Sequence, residues 1–302
     1  MKLLQATPSK STGAWFVLGA ALLWGTTGTA QAFAPPGFDS RVIGALRLLI
    51  GGLALLFLAV RHKELGRIRD WPFWPTLLAS VLTASYQLCF FSAVARTGVA
   101  VGTIVGIGSA PVAGGLLGLI FRGERPSRRW FSATILAIGG CVLLSLSGGD
   151  ISVDLFGITL AFGAGASYAA YTLIIKGILE QHSPNAVVAV VTCGGAIFLL
   201  PALLHMDLDW LLQPRAMAVA LHLGLASMAL SYWLFARGLQ TVQVATATTL
   251  TLAEPMTAGI LGILVLKEQV DTVAICGIAL IFTGLVSLVV KRRREIISEE
   301  RS

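Results

Sequence analysis

Residues 110–127 read APVAGGLLGLIFRGERPS, and residues 254–271 read EPMTAGILGILVLKEQVD. An offset of 144 places Pro111 on Pro255, Gly115 on Gly259, Gly118 on Gly262 and Glu124 on Glu268. The same offset sets Trp24 against Tyr168 and Gly140 against Gly284. Before the prolines the match slips by one residue, where Ala93 meets Ala236. Such self-similarity marks an internal repeat and must be read before any single motif.

Around these stretches the chain is apolar almost throughout. It has 302 residues, 56% hydrophobic and 12% charged, whereas an ordinary soluble domain is about 25% charged. The mean hydropathy is +0.82. Thirty-three glycines fit the same picture, since glycine is commoner in membrane helices than in soluble ones. These values exclude a soluble enzyme and a nucleic-acid binder, despite the net charge of +7. The lipid bilayer is the expected surroundings.

A spanning helix needs about 20 mostly apolar residues. Ten such runs are predicted: 13–33, 40–60, 72–95, 98–121, 128–147, 155–175, 185–204, 215–236, 242–266 and 272–290. Turn or charge signals separate them, among them Pro35-Pro36-Gly37, Gly148-Gly149-Asp150 and Ser183-Pro184. The connections between spans three and four and between eight and nine are short. Seventeen of the 22 basic residues fall on one side, including Arg61 to Arg69, Arg122 to Arg129, Lys176, Arg237 and Lys291 to Arg294. Arg41, Arg96, Arg215 and Lys267 fall on the other. Lys and Arg enrich cytoplasmic loops, so both termini are expected in the cytoplasm, with 291–302 as a cytoplasmic tail. The charge is thereby explained without nucleic acid. Lys2, Lys10 and Ala30-Gln31-Ala32 give the start the outline of a cleavable signal. The first span has a counterpart later in the chain, which favours a retained helix. Cys89, Cys141, Cys193 and Cys276 all lie in spans and read as small apolar residues.

The repeats are then 13–147 and 155–290, with five spans each. An odd number forces the second copy to enter the membrane upside down. The predicted fold is an all-α membrane protein of ten transmembrane helices, built as two inverted five-helix repeats. Inverted repeats characterise many secondary transporters, which hold substrate near the midplane at the repeat interface. The loops are too short for a soluble catalytic domain. No GxxxxGK[ST] phosphate loop occurs. No cofactor, metal or catalytic residue is expected.

Ser109-Ala110-Pro111 with Gly123-Glu124, and Glu254-Pro255 with Lys267-Glu268, resemble motifs of the EamA-type transporters of the drug/metabolite transporter superfamily. Leu23-Trp24-Gly25 and Ala45-Leu46-Arg47 resemble the same family, and the likeness covers about 13–290. Lys267 stands where the resemblance expects glycine. The resemblance implies export of amino acids or related small metabolites across an inner membrane by alternating access. Some relatives import vitamins or sugars, so an importer of a small metabolite is the alternative.

Among 22 basic and 15 acidic residues, only Arg47 and Glu254 fall deep inside a span. An ionisable group there is costly and points to function. Glu254 precedes Pro255, which cannot donate to the helix ladder and clashes with the carbonyl of Thr251. That freed carbonyl is expected to face a cavity. Glu254 is the candidate for a substrate ammonium or a coupling proton; its other reading is a structural partner for Arg47 or for nearby hydroxyls. Arg47 can hold a substrate carboxylate, pair with Glu254, or snorkel. Trp24, Tyr86 and Tyr168 sit near span centres and are candidates for an aromatic cavity wall. Trp15, Trp71, Trp74, Trp130 and Trp210 sit near span ends, as an aromatic belt does. Ser109 and Thr249 complete the candidate binding set on spans four and nine, with Pro111 and Pro255 as expected helix breaks for gating. Gly98, Gly102 and Gly106 form a small-residue stripe that serves packing within one chain or a homodimer. A rival class is a rhomboid-like intramembrane hydrolase using Ser167 in Gly165-Ala166-Ser167, with His222 as base.

Overall fold

The computed structural model describes residues 10–35, 40–146, 154–203, 209–267 and 271–290. Lys2, Gly148-Gly149-Asp150, Glu268 and the tail 291–302 lie outside the described residues. The first repeat contains α1 (Lys10–Ala32), α2 (Ser40–Arg61), α3 (Phe73–Gly98), α4 (Val101–Arg122) and α5 (Arg128–Leu146). The second contains α6 (Leu155–Ile178), α7 (Pro184–Leu203), α8 (Pro214–Leu239), α9 (Val244–Leu264) and α10 (Thr272–Val289). No strand occurs among the described residues. Helices dominate because lipid offers no hydrogen bonds, so each segment must satisfy its own backbone. Large apolar side chains such as Trp74, Phe121, Ile135 and Leu155 point outward. Alanine and glycine fill the interior faces, which lets the helices approach closely.

The helix contacts repeat with the sequence. α6 packs on α3 and α4, while its counterpart α1 packs on α8 and α9. The equivalent helices α2 and α7 pack together, as do α5 and α10. A methyl group added at Gly140 would lie 2.5 Å from the Gly277 carbonyl oxygen; one at Gly284 would lie 2.7 Å from that of Ala133. Each residue of the second contact is 144 positions from its partner in the first, so the two contacts are related by a twofold axis. The same relation links Gly51 facing Gly224 with Gly195 facing Ser80. The internal repeat is thus present in the packing at single-residue detail.

Four local features refine the expected boundaries. First, α3 and α4 belong to one long helical run, Phe73–Arg122, interrupted at Gly98, whose φ is 80° and ψ 166°. Only glycine adopts such a backbone without strain. Second, α4 passes through Pro111 with helical dihedrals, and the expected break there is absent. Tight packing of Gly165 against Gly106, Ser109 and Ala110 holds this segment, so one missing hydrogen bond is tolerated.

Third, α9 does break beside Pro255, into Val244–Leu250 and Ala253–Leu264. The Thr251 carbonyl is not free, however, because the Glu254 N–H donates to it at 2.9 Å in a tight turn. Fourth, α8 widens to a π-helix over His222–Leu230, where Thr26 bonds His222 and Thr27 bonds Ser227. The turns closing α4 and α9 are also alike: Gly123 has φ 64° and Lys267 has φ 59°. The substituted position keeps the left-handed turn despite its side chain.

Candidate functional site

A cavity of about 400 Å³ penetrates between α1, α2, α3, α4 and α9. Gln31 near the end of α1, Ala95 near the end of α3 and Thr103 near the start of α4 line its mouth. At its base lie Trp24, Arg47, Tyr86, Ile107 and Glu254. The same five residues line a narrower pocket of about 30 Å³, closed by Tyr168, Tyr232, Thr251 and Ala110. Seven helices converge here, α1 to α4 from the first repeat and α6, α8 and α9 from the second.

The aromatic wall is continuous. Trp24 meets Tyr232 edge-on at 5.1 Å between ring centres and Tyr168 at 6.2 Å. Tyr86 lies 5.8 Å from Tyr168 and stacks on Phe90 at 5.7 Å. In the two Trp24 contacts, edge-to-face packing aligns the positive ring edge with the negative ring face. The Trp24 indole N–H nevertheless has no hydrogen-bond partner. The Tyr168 hydroxyl faces Thr251 without a hydrogen bond of normal geometry.

Two opposite charges share this space. Arg47 is buried on α2, and its guanidinium faces Tyr232 and Glu254; its Nε–H has no partner. No ion pair within 4 Å joins Arg47 to Glu254 among the described residues. Each charge therefore remains available to a molecule placed between them. Neither has a charged counterpart in the other repeat: the offset of 144 sets Arg47 on Val191 and Glu254 on Ala110. The site breaks the symmetry of the frame that holds it.

The remaining expected residues divide. Trp24, Arg47, Tyr86, Tyr168 and Glu254 come together at the cavity. Thr249 does not line it. Its hydroxyl accepts from the Trp130 indole at 2.9 Å, sits 3.0 Å from Thr134, and donates to the Ala245 carbonyl. Ser109 lies behind the wall, 3.4 Å from the Gly106 carbonyl. Trp130 is buried and bridges α5 to α9, so it is a tie between repeats and not a belt residue. Trp15 and Trp74 are exposed, as a belt requires. Ser167 bonds Ser85 at 3.3 Å, and His222 bonds Thr26 at 2.8 Å. These separate partners leave no Ser167–His222 pair of the kind a hydrolase needs.

Several lining residues were not among the sequence candidates, Tyr232 and Gln87 among them. Tyr232 lies four residues from the expected end of its span at 236, and it follows directly on the π-helical segment of α8, which shifts the register of the residues after it. Gln87 carries no formal charge and so drew no notice. The neighbouring Tyr86 was its only signal.

At the opposite end from the mouth the bundle is shut by charge. Glu124 accepts the Val244 N–H at 2.7 Å and lies 3.3 Å from the Lys176 ammonium and 3.5 Å from Arg122. Lys176 also donates to the Val242 carbonyl, and Arg122 pairs with Glu180 at 2.5 Å. The offset of 144 places Ala32 opposite Lys176. A matching lysine is therefore missing beside the mouth.

The model of the EamA-like transporter family matches residues 11–146 and 155–290. The chain is 43% identical over 285 residues to the uncharacterized transporter YwfM of Bacillus subtilis, covering 94% of this chain and 96% of that one. It is 33% identical over 185 residues to the threonine/homoserine exporter RhtA of Salmonella typhimurium, covering 58% and 59% of the two chains. A solved crystal structure superposes with a TM-score of 0.78 at 19% identity, covering 93% of this chain and 97% of the other. The last likeness concerns the fold alone.

Proposed function

The chain belongs to the EamA-like transporter family, and on that footing we propose that it exports amino acids or closely related small metabolites by alternating access. The observation that carries this reading is the pair of opposite charges, Arg47 and Glu254, not joined to each other by an ion pair, at the base of one cavity. An α-amino acid is a zwitterion of matching size. Its carboxylate fits the Arg47 guanidinium, which binds carboxylates through paired N–H donors, and its ammonium fits Glu254. The aromatic wall accepts the apolar part. A pocket of this volume suits a small ligand. The name of RhtA supports the same class of substrate.

The basic loops support an orientation. Arg61, Arg122, Arg128 and Lys176 lie at the ends away from the mouth, and such residues favour the cytoplasm. On this reading the cavity faces outward across a bacterial-type inner membrane, with the Glu124 cluster closing the cytoplasmic side. Glu254 would hold a proton on the return path, when no ammonium is bound.

Flux of labelled amino acids into proteoliposomes, with and without a pH gradient, tests the proposal. Wild-type protein should move at least one amino acid, and Glu254→Gln should abolish the flux or its response to the gradient. Unchanged flux and unchanged pH response in that variant would remove Glu254 from the mechanism.

A further inference from the structure

Gln87 on α3 lines the cavity beside Tyr86 and is only 2% exposed. Neither its amide nitrogen nor its amide oxygen has a hydrogen-bond partner. Three other buried polar residues of α3 behave differently, although the Thr76 hydroxyl, which does not line the cavity, is also without a partner. Ser80, Thr83 and Thr97 each donate to the carbonyl four residues earlier on their own helix. The longer side chain of Gln87 makes no such bond to its own helix, and its amide is buried at a residue that lines the cavity. A buried amide left unpaired is costly, and a ligand that satisfies it recovers that cost.

The chemistry of the amide narrows the ligand. The Arg47 Nε–H and the Trp24 indole N–H can only donate, and a Glu254 carboxylate can only accept. Gln87 both donates and accepts. Its match is a neutral group with the same pair of capacities, a hydroxyl or a carboxamide. Gln87 also stands close to the arginine: a methyl group at Gly44, three residues before Arg47, would lie 3.5 Å from the Gln87 Cβ. A substrate whose carboxylate rests on Arg47 would thus present its side chain within reach of this amide.

We infer that Gln87 is a specificity residue that selects amino acids bearing a hydroxyl or carboxamide side chain. This inference rests on the amino-acid reading of the cavity. A site built to bond a hydroxyl rejects the analogue that lacks it, because its own polar group is then left unpaired. Threonine and valine have nearly the same shape and differ by that hydroxyl, so they isolate the effect.

The experiment is competition between threonine and valine for uptake into proteoliposomes, with alanine as reference. Wild-type protein should favour threonine by roughly tenfold or more. The ratio should fall toward one in Gln87→Leu, and likewise in Gln87→Met, which keeps the length of the chain. The wild-type ratio stands as a test even where a variant fails to fold. Equal transport of threonine and valine by wild type, or a threonine preference that survives in both variants, overturns the role of Gln87 alone. Absence of flux for all three amino acids would instead overturn the reading on which it rests.

Discussion

The Glu124 carboxylate accepts the Val244 N–H at 2.7 Å, and so a loop of the first repeat caps the start of α9 in the second. The cap residue of α9 itself, Gln243, contributes no side-chain bond. The free N–H groups at a helix start carry partial positive charge, which a carboxylate satisfies better than an amide. Lys176 holds that carboxylate in place from α6.

Glu124→Gln should therefore loosen the closed end without altering the cavity. Hydrogen–deuterium exchange over residues 244–250 is expected to rise by roughly tenfold, the scale of one hydrogen bond to a charged group. Exchange equal to that of the wild type would show that the carboxylate does not secure this end.

Lys267→Gly should stabilise the protein. The lysine holds φ at 59°, a conformation that costs a residue with a Cβ about 1 kcal/mol, whereas Gly123 occupies the equivalent turn without strain. The expected result is a higher melting temperature in detergent. A fall would mean that the lysine side chain contributes more than its backbone costs.

Trp130→Phe removes one donor from the Ala245 carbonyl and the Thr249 hydroxyl. Stability should drop by about 1 kcal/mol, while substrate affinity stays unchanged, since neither Trp130 nor Thr249 lines the cavity. A weakened affinity at equal stability would return Thr249 to the binding site.

Asp154 gives a pH signature at the start of α6. The backbone N–H of Gly157 holds its carboxyl below the usual carboxylate range, with Arg96 at 3.3 Å and the Phe156 N–H adding to the effect. A group whose folded pKa is lowered stabilises above its unfolded pKa, and that contribution is lost as pH falls through the folded value. Acidification from about pH 5 downward should thus destabilise the wild type more than Asp154→Asn. Parallel melting curves for the two across that range would contradict this account.

Much of this architecture was legible in the sequence because its causes are local or periodic. Apolar run length marked the spans, and the offset between Pro111 and Pro255 marked the repeat and its inversion. Arg47 and Glu254 were visible because charge is rare in such surroundings. What escaped depends on backbone register and on three-dimensional pairing. Pro111 and Pro255 look alike in sequence, yet only the second accompanies a broken helix, because the packing of α6 supports the first. Thr249 looked free in a row of hydroxyls but is bonded to an indole that is far away in the chain. Tyr232 entered the cavity through a widened helix that no periodicity announced.

The separation of Arg47 from Glu254 has a consequence for the unloaded molecule. Sealing the cavity around two opposite charges that are not in direct contact would strip their water without forming an ion pair, and burying a charge costs several kcal/mol per ion. A bound zwitterion neutralises both at once, and a proton on Glu254 neutralises one. Under the proposed alternating access, the vacant molecule would thereby be discouraged from crossing between its two faces, which would suppress futile cycling and leakage.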